Sequence, residues 1–66
     1  MKLQIDEDAD ALYLRLDEES VVESEEVEPG VILDFDKEGR VVGFELLGLS
    51  ARRGGRKLGS VTFETP

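Results

Sequence analysis

The run Ala11-Leu12-Tyr13-Leu14-Arg15-Leu16 alternates without a break, with Leu12, Leu14 and Leu16 on one side and Tyr13 and Arg15 on the other. Period two is the signature of an extended strand with one side turned inward, and no helix with a single apolar stripe yields it. Upstream, Leu3 and Ile5 flank Gln4 in a shorter run of the same kind. Asp6-Glu7-Asp8-Ala9-Asp10 between the two reads as a turn, because aspartate side chains bond readily to nearby backbone amides. The two strands are expected to pair.

The next stretch, Glu18 to Glu28, mixes helix-favouring glutamates with strand-favouring valines. Val21, Val22 and Val27 do not form a wide helical stripe, and Pro29-Gly30 directly after them marks a tight turn, so the stretch is assigned to a strand. "VILDF" (31–35), "RVVGFELL" (40–47) and "SVTFE" (60–64) are further β-prone runs. The pattern predicts a mainly β fold: a small antiparallel meander of about five or six short strands, with little or no helix, in one domain spanning 1–66.

The stretch "DFDKEGRVVGFE" (34–45) fits two structures. Asp34, Asp36, Gly39 and Glu45 occupy the first, third, sixth and twelfth places of a calcium-binding loop, with Glu38 in the fifth place where Asp or Asn belongs. Such a loop hangs between helices, yet both flanks are rich in valine and interrupted by glycine or proline. Asp36-Lys37-Glu38-Gly39 also suits a hairpin, in which Asp opens a type I turn and Gly takes the left-handed corner. The hairpin is preferred, and Asp34, Asp36 and Glu38 are kept as a weak divalent-cation alternative. A three-residue loop then sets Phe35 against Val41, Asp34 against Val42, Leu33 against Gly43 and Ile32 against Phe44. In that register Val31, Leu33, Phe35 and Val41 share one face and Ile32, Val42, Phe44 and Leu46 the other. Both faces being apolar, the second set is the expected interface with another subunit.

The strand "DADALYLRL" followed by "EEVEPGVILDFDKEGRVVGFELL" resembles the small prokaryotic family known as domain of unknown function 2283 over residues 3–50. The resemblance implies a small β-rich domain and carries no catalytic residue, substrate or cofactor with it. Relatives beside short toxin-like proteins make an antitoxin-like role one implied reading. Residues 51–58, a basic glycine-containing loop, and 59–66, a strand-like extension, run past the family pattern.

Composition narrows the chemistry. Residues 1–50 hold fifteen acids and four bases, and residues 51–66 hold one acid and four bases, Arg52, Arg53, Arg56 and Lys57. At net charge −8 the molecule repels nucleic acid and attracts basic partners. The basic loop has no aromatic residue to stack on bases. Asp6, Asp8 and Asp10 belong to a turn, and Glu23, Glu25, Glu26 and Glu28 to a solvated strand that resists edge-to-edge aggregation. Neither His nor Cys is present, which removes disulfides, thiolate and imidazole ligands, and the commonest general base, leaving Lys or a carboxylate for that role. No spacing pairs Ser20, Ser24, Ser50, Ser60, Thr62, Thr65 or Tyr13 with a base, so an enzyme is not expected.

A chain of 66 residues hides only about 60% of its unfolded surface, and without disulfide or metal its stability is expected to come from self-association. The expected protein is a homo-oligomeric interaction module without cofactor, with a basic protein partner as the alternative. No apolar run approaches the ~20 residues a membrane helix needs, and a cytoplasmic setting is expected. The lack of Asn and the 36% charged residues suit a heat-loving source.

Overall fold

A computed structural model describes all 66 residues. Five antiparallel strands form one sheet: β1 (Lys2–Asp6), β2 (Ala11–Arg15), β3 (Glu23–Glu28), β4 (Val31–Phe35) and β5 (Val41–Leu47), followed by one helical turn, α1 (Leu49–Arg52). The expected β class holds. The strand order is β1-β2-β5-β4-β3, so one connection departs from a simple meander: residues 16–22 arch from β2 past β5 and β4 to β3, giving a Greek-key turn. Val21 and Val22 belong to this arch rather than to the strand expected over them. The expected sixth strand over 60–64 is absent, and residues 57–66 have no regular structure.

Two of the three hairpin turns, those flanking β4, follow directly from local chemistry. Pro29-Gly30 joins β3 to β4, with Gly30 at φ 79°, a corner that side-chain-bearing residues resist. Between β4 and β5, the Gly39 N–H donates to the Asp36 carbonyl at 3.0 Å and the Asp36 N–H to the Arg40 carbonyl at 2.9 Å, with Gly39 at φ 80°. The hairpin reading of residues 34–45 is therefore the observed one.

The register beyond the turn is not. Phe35 does oppose Val41, but the ladder then shifts by one, pairing Asp34 with Gly43, Leu33 with Phe44, Ile32 with Glu45 and Val31 with Leu46. Val42 is the extra residue of a β-bulge. A one-residue slip moves a whole strand's side chains to the opposite face, and here it sorts them by polarity. Without the bulge Ile32 would share a face with Phe44, and Glu45 would share one with Leu33. With it, Leu3, Leu14, Phe44 and Leu33 form one cross-strand row and Ile5, Leu12, Leu46 and Val31 the next. The opposite face carries Lys2, Arg15, Gly43, Asp34 and Ser24 in one row and Gln4, Tyr13, Glu45, Ile32 and Glu26 in another. The hairpin is thus apolar on one face only, correcting the two-sided expectation.

No strand or helix of the chain packs as a second layer over the apolar face, and only Leu49 and Leu58 reach one corner of it, beside Ile5. Val42, 3% exposed, is the one residue of that face that is fully buried; Leu3, Ile5, Leu12, Leu14, Val31, Leu33, Phe35, Phe44 and Leu46 are all half-buried. The accessible surface is 5068 Å², against about 4,200 Å² for a compact protein of 7.3 kDa.

Candidate functional site

The polar face is organised around a gap in the middle strand. Tyr13 on β2 reaches across β5 to β4, where its hydroxyl donates to Asp34 Oδ2 at 2.7 Å. Ser24 on edge strand β3 donates to Asp34 Oδ1 at 2.6 Å, and Arg15 Nη1 donates to the Tyr13 hydroxyl at 3.4 Å. Four side chains from three strands thus lie across β5 in one chain of bonds. They fit because the residue beneath is glycine: a Cβ on Gly43 would stand 2.7 Å from the Tyr13 hydroxyl and 2.8 Å from Asp34 Oδ2. The hydrogen bond to Tyr13 also holds the Arg15 pKa above its ordinary value.

Arg15 has a second task. Its Nε donates to the Asp17 carbonyl at 2.6 Å and its Nη2 to the Glu19 carbonyl, so one guanidinium ties the Greek-key arch to the sheet. Beside this network, Tyr13, Glu45 and Leu47 with the Asp6–Asp8 turn line a shallow acidic hollow of about 760 Å³.

The suggested cation set does not converge. Asp34 is engaged by Tyr13 and Ser24, and Glu38 pairs with Arg40 at 2.7 Å. Asp36, 4% exposed, accepts the N–H groups of Arg40 and Glu38, both at 2.9 Å, and Arg40 Nε at 3.2 Å. It is the lock of its own turn. The Arg40 N–H foremost, against the opposing effect of burial, holds its carboxyl below the usual aspartate pKa, helped by the Glu38 N–H and the Arg40 side chain. A folded-state pKa below the unfolded one stabilises the fold at neutral pH, and that contribution fades as pH falls through the depressed value. Lowering pH from about 5 to about 3 should therefore cut the urea midpoint of the wild type more than that of Asp36→Asn. Parallel pH profiles would contradict this role.

Of the residues expected at a subunit interface, Val42, Phe44 and Leu46 lie on the apolar face, while the bulge puts Ile32 on the polar one. The basic loop is split. Arg52 ends α1 and donates to the carbonyls of Pro29 at 2.9 Å and Leu47 at 3.3 Å. Arg53 and Arg56 bond to each other's carbonyls, and neither they nor Lys57 forms an ion pair with the acidic body.

Sequence reasoning placed Asp10 in a turn and missed its partner. At φ 54°, Asp10 accepts the Ser50 N–H at 2.9 Å and the Ser50 hydroxyl at 2.8 Å, capping α1 from the first hairpin. It missed the Tyr13-Asp34 bridge as well. The available signal was a glycine inside an otherwise β-branched and aromatic strand, which marks a close approach.

A family model described as "Protein of unknown function (DUF2283)" matches residues 2–50. The chain belongs to this family. The DUF2283 portion holds all five strands, the arch, the polar network and the start of α1, while the basic loop and the final eight residues lie outside it. No curated protein and no solved structure matches the chain. No helix of this DUF2283 protein is long and apolar enough to cross a membrane.

Proposed function

We propose that this DUF2283 chain is a non-enzymatic interaction module in which a second copy covers the apolar face of the sheet, leaving the acidic polar faces outward for a basic protein partner. The observation carrying the reading is the one-sided sheet: two rows of four large aliphatic or aromatic side chains, none fully buried. A stable domain packs at least two layers around its core, and this chain supplies one. The surface in excess of a compact 7.3 kDa protein is about 900 Å², close to the roughly 800 Å² each partner contributes to a standard interface.

Charge favours the outward role of the other face. The hollow beside Tyr13 is rimmed by Asp6, Glu7, Asp8 and Glu45, and Glu26 of the exposed strand β3 stands in the same polar row, while Glu23, Glu25 and Glu28, opposite Phe35, Leu33 and Val31, fringe the apolar face at its edge. Such a surface speeds encounter with a cationic partner and rejects anionic ones. An antitoxin-like neutraliser of a basic protein is the specific form this takes.

Sedimentation equilibrium at micromolar concentration tests the reading. The expected species is about twice 7.3 kDa, and a lysine-rich peptide added to it should bind with an affinity that falls as salt rises. A folded, stable 7.3 kDa monomer at about 100 μM would overturn the pairing.

A further inference from the structure

The final residues repeat the pattern of a strand without occupying one. Val61 and Phe63 alternate with Ser60, Thr62 and Glu64, and they stand 44% and 74% exposed. No hydrogen bond ties residues 57–66 to the sheet. Just before them, Leu58 is half-buried in a hollow it lines with Ile5, Leu49 and the Asp6–Asp8 turn. That hollow lies at the end of β1, whose outer edge carries unpaired backbone N–H and C=O groups because β1 is the first strand of the sheet.

We propose that residues 60–64 close onto β1 of the same chain as a sixth, antiparallel strand. The direction follows from position: β1 runs toward the hollow, so a segment leaving it alongside β1 runs back antiparallel. The register follows from pattern. Setting Ile5 against Val61 and Leu3 against Phe63 extends both apolar rows by one residue and sets Gln4 against Thr62 and Lys2 against Glu64. Every cross-strand pair is then apolar with apolar, polar with polar, or cation with carboxylate, the combinations that stabilise neighbouring strands. A slip of one residue would turn Val61 and Phe63 onto the polar face. The other open edge, β3, is excluded by reach and by charge. It lies four strand spacings from β1, about 19 Å, and its carboxylates would face Glu64.

This closure goes beyond the pairing of two copies and does not require it, although Val61 and Phe63 would widen the face that a second copy covers. It gives the basic loop a task as well. Residues 53–57 become the connection that carries the chain from α1 to the edge of β1.

The chain has no cysteine, so engineered pairs report cleanly. Gln4→Cys with Thr62→Cys, an in-register pair on the polar face, should form an intrachain disulfide at least tenfold faster than Gln4→Cys with Glu64→Cys, and the Val61 to Phe63 amides should exchange slowly with solvent. Both measurements are made on the wild-type background and on Phe44→Lys, designed to be monomeric, with the mass read by sedimentation. In-register preference within one chain, at either mass, supports the strand. Equal rates for the two pairs, or disulfides that link different chains, overturn it while leaving the pairing of copies to be judged by mass alone.

Discussion

Gly43→Ala is expected to destabilise the protein by about 2 kcal/mol, although it adds a single methyl group. The methyl would stand 2.7 Å from the Tyr13 hydroxyl and 2.8 Å from Asp34 Oδ2, closer than real Cβ contacts come, and a tight 3.2 Å from Asp34 Cβ. The backbone is held by β2 on one side and β4 on the other, so relief comes from the side chains. Tyr13 and Asp34 must part, and the bond to a charged acceptor that spans β5 is lost. For a domain of this size the melting temperature should fall by roughly 8–16 °C. A larger residue such as Val should cost about 3 kcal/mol or more, near the whole stability of so small a core. The decisive measurement is a double-mutant cycle. In a Tyr13→Phe background the bond is already absent and the closest oxygen is gone, so Gly43→Ala should cost at least about 1 kcal/mol less than in the wild type. Simple additivity of the two changes would mean that Gly43 is not there to let Tyr13 pass.

Phe44→Lys should leave a folded chain that no longer pairs. Phe44 sits on β5, the middle strand, flanked in its row by Leu14 and Leu33. A lysine stem can still lie over those neighbours while its ammonium stays in water, so the single sheet loses part of one contact. In a pair of copies the same ammonium would be enclosed without a partner, which costs about 3–5 kcal/mol and weakens association by at least 100-fold. Sedimentation should give a 7.3 kDa species where the wild type gives twice that mass, with far-ultraviolet dichroism unchanged. A variant that assembles like the wild type would place the contact elsewhere.

The strands were legible wherever alternation was strict. Ala11–Arg15 announced itself by period two, Val31–Phe35, which does not alternate, by a short β-prone run between two turns, and Asp36 to Gly39 by turn chemistry. The register was not legible from the loop, because loop length sets pairing only next to the turn. One extra residue, Val42, was then inserted to gather the large side chains of β4 and β5 on a common face. The pattern itself held the missing clue: Leu33 and Phe44 are both apolar, as are Val31 and Leu46, and these pairs align only if the ladder slips. The site was harder to see. Tyr13, Asp34 and Ser24 are separated by ten residues or more and meet because β2 and β4 flank the same glycine. Asp10 and Ser50 are forty residues apart, and no local spacing connects them. The strand-like pattern of 60–64 carried no information about whether an edge was in reach.

The strand order also sets a timetable for the newborn chain. β1 and β2 leave the ribosome first, yet the inner flank of β2 is met only by β5, the last strand to be made. With about 25 residues between the end of β2 and the start of β5, and synthesis at roughly 5–20 residues per second, that flank stays bare for about 1–5 seconds. During that wait the acids of the Asp6–Asp10 turn keep other nascent chains at a distance from the leucines beside it.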